Sequence, residues 1–123
     1  IGRELPAHST ALGKVLLAHL PRQQVLDLVA QHGLARYTRK TITSKARLFR
    51  ELDVVCKQGY ATADEEHGAG LRSIAAPIYG STGEVSAGVS VNGGSGEAAW
   101  AEAGVLIEKV KAAGREISRR ARF

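Results

Sequence analysis

Two stretches of this chain carry residue types suited to holding a small acid. The first is Leu5-Pro6-Ala7-His8-Ser9-Thr10-Ala11-Leu12-Gly13-Lys14, where a proline and small polar residues open an apolar run, Val15-Leu16-Leu17-Ala18. Small residues at a helix start leave backbone N–H groups uncovered, and the helix dipole makes that end attractive to an anion, a carboxylate above all. The second is residues 84–92. Its alternation puts Val85, Ala87, Val89 and Val91 on one strand face and Ser86, Gly88, Ser90 and Asn92 on the other. That small polar face either meets water or floors a cavity, where glycine leaves room and hydroxyl and amide groups offer directional hydrogen bonds. Ser73, between two apolar runs, is placed to join the same floor.

Other chemistries find less support. His8, His19, His32 and His67 are scattered, and none forms a metal-ligand pair such as HxH or HExxH. Asp64-Glu65-Glu66-His67 gathers acids and an imidazole, but neighbours on a strand point to opposite faces and do not all meet one ion. Ser9 beside His8 lacks a third group and a nucleophile elbow. Gly68-Ala69-Gly70 lacks the strand-to-helix setting of a phosphate loop and reads as a hairpin turn. No metal, no cofactor and no catalytic residue is expected.

The elements that must position these residues follow from periodicity. A first helix is expected at about residues 9–20, with Ala11, Leu12, Val15, Leu16 and Leu20 on one face. Pro21 suits the first turn of a second helix, which Gly33 caps, with Val25, Leu28 and Val29 inward. Residues 37–42 read as extended. Thr43 or Ser44 then caps a third helix whose stripe is Leu48, Leu52, Val55 and Cys56, closed by Gly59. Strands are expected at residues 60–66, 71–79 and 84–92, with Pro77 near a strand end or on an edge. The last helix spans about residues 97–120, with Leu106, Val110, Ala113 and Ile117 on one side. Three helices, an antiparallel meander and a helix make an α+β domain. Three strands alone make a thin sheet. That thinness, with apolar Ile1 and Leu5 at an abrupt start, suggests a single domain, residues 1–123, truncated at its N-terminus.

The 123 residues suffice for one domain with a core, and 44% hydrophobic with 24% charged content is ordinary for a globular protein. No segment approaches the ~18 apolar residues of a membrane span, and no secretory signal is present. Cys56, the single cysteine, excludes an internal disulfide, reads as a packed core thiol, and fits a reducing cytoplasm. The net charge of +5 concentrates in residues 36–50 and 115–122, without interleaved stacking aromatics. It reads as a solvated basic face rather than a nucleic-acid interface.

Five motifs in order extend the argument. They are residues 5–14, Tyr37-Thr38 with Thr41-Ile42-Thr43, Gly59-Tyr60-Ala61 with Asp64-Glu65-Glu66, Gly70-Leu71-Arg72-Ser73-Ile74-Ala75-Ala76-Pro77, and Ser90-Val91-Asn92-Gly93. Together they resemble the C-terminal effector-binding domain of IclR-type bacterial transcriptional regulators across nearly the whole chain. The resemblance implies a GAF-like (profilin-like) fold with a curved antiparallel sheet, flanking helices, and opening strands missing from this chain. It implies a cytoplasmic sensor of a small carboxylate metabolite that assembles as a dimer or a pair of dimers. DNA would be bound only through a winged helix-turn-helix domain absent here. By the same resemblance the effector site comprises the Ala11 and Leu12 amides, Ser73 (frequently cysteine in the family), Ser90 and Asn92. Ala63 stands where many members have an aspartate. Alanine offers no hydrogen bond to a hydroxyl or hydrated carbonyl, which points away from a small 2-oxo acid and towards a larger or aromatic one. Leu12, Ile74 and Val89 are candidate walls. Two other readings stay open: a ligand-free dimerisation module, and a small enzyme on a GAF-like scaffold, the latter disfavoured by the single cysteine.

Overall fold

Thr10 starts the first helix: its Oγ1 accepts the Gly13 N–H at 3.1 Å, and α1 (Ala11–Ala18) follows. The computed structural model describes residues 7–94 and 103–121. Pro21 leads into α2 (Arg22–His32), and Gly33, at φ +74°, ends it. Ser44 Oγ accepts the Arg47 N–H at 3.3 Å and opens α3 (Lys45–Gln58). Gly59 ends α3 in the left-handed conformation, φ +83°, which costs glycine nothing. Residues 37–42 are a knot of turns rather than an extended run. Thr41 Oγ1 accepts the Tyr37 and Thr38 N–H groups at 3.1 and 2.9 Å, and a threonine hydroxyl able to serve its own backbone favours turns over strand.

Strands β1 (Ala61–Asp64), β2 (Leu71–Tyr79) and β3 (Val85–Gly94) form an antiparallel meander in the order β1-β2-β3, followed by α4 (Ala103–Ala121). The expected start of this last helix near residue 97, and the apolar Ile1 and Leu5, lie outside the described residues. Pro77 lies near the end of β2, one of the two places expected for it, although β2 is the central strand rather than an edge. The arrangement holds because β1 stops at the Ala61–Ala75 pair, so among the described residues no strand lies beside the missing N–H. One expectation for β3 fails locally. A bulge between Ile78 and Tyr79 pairs Ile78 with Ala87 but Tyr79 with Val85. The extra residue, Ser86, moves Val85 to the face opposite Ala87, Val89 and Val91.

Helices cover both faces. On one, Ala11 and Val15 of α1 and Val55 of α3 pack on Ala61, Ala63 and Ala75. Behind them Leu17, Val25, Ile42, Leu48 and Leu52 knit α1, α2 and α3 together. On the other face Val110, Leu106 and Ile107 of α4 cover Ile74, Ala76 and Val89. Ile74 and Val89 therefore line the α4 side and form no wall for a site under α1. Cys56 is exposed, not packed. On α3 it lies about 40° around from buried Leu52 but about 100° from buried Val55, at the edge of the buried side, with its Sγ–H donating to Ala18 O at 3.0 Å. Lys14 and Leu17, rather than Leu16, complete the buried side of α1.

Candidate anion-binding site

The first N–H groups of α1 have distinct fates. Gly13 donates to Thr10 Oγ1 and Lys14 to Thr10 O, at 3.1 and 3.0 Å. Ala11 donates across the domain to Ser73 Oγ at 3.3 Å. Leu12 N–H has no protein acceptor among the described residues. The helix start is thus less bare than a run of small residues suggests: one amide remains open, and a second holds a long bond to a hydroxyl whose own hydrogen is free to donate.

Residues directly opposite on antiparallel strands share a face, and the register fixes which do so here. Ala63, Ser73 and Asn92 form one rung across the three strands, and Ala61, Ala75 and Ser90 the next. The Ala11–Ser73 bond and the packing of Ala61, Ala63 and Ala75 on α1 place both rungs on the α1 face. The front of α1, Ser73, Ser90 and Asn92 therefore share one side of the sheet. Polarity rises across it. The β1 side is methyl groups; Ala63 is buried beneath Ala11 and Val15 and helps seat the helix. The β3 side carries a half-buried Ser90 hydroxyl and an exposed Asn92 amide, and neither side chain has a protein partner among the described residues. Leu12, half-buried, lies over β3 at Gly88, where an added Cβ would stand 2.7 Å from Leu12 Cδ1. Leu71, exposed beside Ser73 on the same face, adds apolar surface at the open end.

A turn, residues 65–70, stands before the helix start, and polar contacts hold it there. Thr38 and Thr41 donate their hydroxyls to the Glu65 and Glu66 carbonyls, both at 2.5 Å. Glu65 takes the left-handed region, φ +57°. The Gly70 N–H and then Lys40 hold its carboxyl below the usual range. His67 Nδ1 lies 3.2 Å from Oγ of Ser9, a fully buried residue just ahead of the helix cap, and its ring meets Tyr37 edge-on at 4.9 Å. Lys14, also fully buried, reaches Thr62 O at 2.9 Å, Glu51 Oε2 at 3.1 Å and Glu66 Oε1 at 2.7 Å. The last is a close charge pair whose angles fall outside hydrogen-bond range. Lys14, Glu51, Glu66, Ser9 and His67 form contacts that spacing did not pair. The available signal was a lone lysine in register with Ala11, Val15 and Ala18. Among the described residues no group of three or more His, Cys, Asp or Glu could hold a metal ion, and no helix is long and apolar enough to cross a membrane.

Residues 1–119 match the family model described as bacterial transcriptional regulator IclR C-terminal. The HTH-type transcriptional regulator KdgR of Dickeya chrysanthemi is 46% identical over 92 residues, 75% of this chain and 30% of that protein. The crystal structure of the C-terminal domain of E. coli KdgR superposes with a TM-score of 0.88 at 36% identity, covering 100% of this chain and 75% of that one. The inducer-binding domain of the PobR transcription factor from Acinetobacter, a double mutant in complex with 3-hydroxybenzoic acid, gives 0.87 at 28% identity, covering 96% and 70%. The chain spans about a third of the length of the curated relatives it matches.

Proposed function

Because the chain belongs to the C-terminal domain family of IclR-type bacterial transcriptional regulators, we propose that it is the single ligand-sensing and self-assembling domain of a cytoplasmic regulator, and that it senses a small carboxylic acid. The observation that carries this reading is the Ala11 N–H bond to Ser73 Oγ. It sets a helix start with an open Leu12 amide over the face where Ser90 and Asn92 hold unpartnered polar groups. A carboxylate at Leu12 N–H and the Ser73 hydroxyl, with a second polar group reaching Ser90 or Asn92, satisfies all of them. Half-buried Leu12 over Gly88 and exposed Leu71, both beside these polar groups, suit an acid with an apolar body. The PobR domain, similar in fold, is described with a hydroxybenzoic acid bound.

Magnitudes constrain the mode. Micromolar affinity is about −8 kcal/mol. A helix terminus supplies roughly 0.3–2 kcal/mol, and charge-assisted hydrogen bonds about 1.5–3 kcal/mol each. Two or three such bonds plus apolar contact reach that total; the helix alone does not. Since the ligand groups come from α1 and from the sheet, occupancy tightens one against the other. Signalling follows if one assembly geometry prefers the tightened pair. DNA contact belongs to a helix-turn-helix domain of the kind named in the relatives.

A thermal-shift panel of benzoate, phenylacetate, hexanoate and 2-oxobutanoate tests this function. Binding raises the melting temperature by mass action, and the apolar acids are expected to exceed 2-oxobutanoate. No shift with any acid removes the sensing role and leaves assembly alone.

A further inference from the structure

The structure assigns Lys14 and Glu66 a positioning role for the acid site, an inference that rests on the sensing function proposed above. Lys14 lies one turn behind Ala11 and Leu12, is fully buried, and faces away from the polar floor towards β1 and α3. Its ammonium joins three elements at one point: Thr62 O on β1, Glu51 on α3, and Glu66 on the turn at residues 65–70. Glu66 is followed by His67, which bonds Ser9, and Ser9 precedes the Thr10 cap of α1. The chain of contacts thus closes on itself. Lys14 holds the turn through Glu66, and the turn holds the front of the same helix through His67 and Ser9.

Stability alone explains this poorly. A buried ion pair often contributes little net stability compared with apolar residues of the same volume, because desolvation offsets the attraction. An ammonium with three fixed oxygen partners does specify rotation and height of α1, which an apolar contact does not. Height and rotation decide whether the Ala11 amide meets Ser73 and where the open Leu12 amide stands. Lys14 and Glu66 touch no ligand in this scheme; they set where the ligand-binding amides stand.

The test replaces the pair together, Lys14→Met with Glu66→Met, so that neither charge is left buried alone. Glu66→Gln is the conservative companion should the double variant fold poorly. Phenylacetate and hexanoate binding to the full 123-residue chain is measured by calorimetry, beside melting temperature and amide hydrogen exchange. The expected result is a melting temperature within about 3 °C of the parent, affinity weakened roughly tenfold, and faster exchange at Leu12 and in residues 65–70 with the β2 core unchanged. Glu66→Gln is expected to weaken binding in the same direction by less. Unchanged affinity in both variants overturns the positioning role while the sensing function stands. A parent chain that binds neither acid overturns the sensing function, and exchange then decides the rest: unchanged protection of Leu12 and the turn overturns the positioning of the helix front as well.

Discussion

The Ala11 N–H donates to Ser73 Oγ across 3.3 Å, so the first turn of α1 is bonded to the central strand near its start. An orphan helix donor is satisfied by a hydroxyl from a distant strand, so the two elements that hold the acid in the proposed function are already registered to each other. Under that proposal, acid binding and the seating of α1 are linked at one side chain.

Ser73→Ala is expected to affect both. Leaving a part-buried N–H without its acceptor costs about 1–3 kcal/mol, measurable by urea denaturation. Acid affinity falls with it. Ser90→Ala separates the two effects, because Ser90 has no protein partner among the described residues: stability holds to within about 0.5 kcal/mol while affinity falls. Unchanged affinity in Ser90→Ala sinks the assignment of that hydroxyl to the site.

Gly13 and Gly88 both let α1 lie close to its neighbours, but not equally. A Cβ at Gly13 would stand 2.4 Å from Ala7 Cα, in backbone, whereas at Gly88 the nearest atom is the end of the Leu12 side chain. Gly13→Ala is expected to destabilise by more than Gly88→Ala, despite the ~1 kcal/mol helix-propensity gain of alanine at position 13. Overpacking of this kind costs about 1–3 kcal/mol or more. Equal melting temperatures for the two variants would contradict the close approach of residue 7 to the helix.

Burial holds the His19 imidazole below its ordinary pKa of 6.5. Its ring packs edge-on against Tyr79 at 5.9 Å. The unfolded chain binds this proton at higher pH than the folded one, so the stability His19 permits is complete above 6.5 and is lost as pH falls through the lower folded value. Denaturation curves from about pH 7.5 to 5.5 are expected to show less loss in His19→Gln than in the parent. Identical pH slopes would remove His19 from the account.

Cys56 is exposed at the surface of α3. It is expected to react with a thiol reagent in the folded state, at a rate that unfolding raises only modestly. Cys56→Ser is expected to change stability by no more than about 0.5 kcal/mol. A thiol silent until the chain unfolds would place this face of α3 inside the protein.

Period and punctuation carried most of the fold into the sequence. The helix caps at Ser44, Gly33 and Gly59, the β2 boundaries and the meander order were legible because each rests on local chemistry: a hydroxyl accepting its own helix N–H, a glycine at positive φ, alternation against a turn. The bulge was not, since alternation assigns Ser86 a strand position that only the pairing with β2 withdraws. The Cys56 position failed because it sits at the margin of an apolar stripe, where one step of rotation separates core from water. At the site, helix spacing and strand alternation put the helix front and Ser90 and Asn92 on faces that the fold then brings to one side. What spacing could not supply is long-range pairing. Lys14 reads as an ordinary charged residue until Glu51 and Glu66, far along the chain, meet it, and Ser9 reads as unaccompanied until the 65–70 turn delivers His67.

The account rests on the helix front and the strand hydroxyls holding one acid between them. Titrating the 15N-labelled chain with phenylacetate while following backbone amides tests this most directly. The account predicts saturable shifts at Leu12, Ala11, Ser73 and Ser90 along a single binding curve. Saturable binding that leaves the Leu12 and Ala11 amides unmoved, or moves only residues on the α4 face of the sheet, would contradict it.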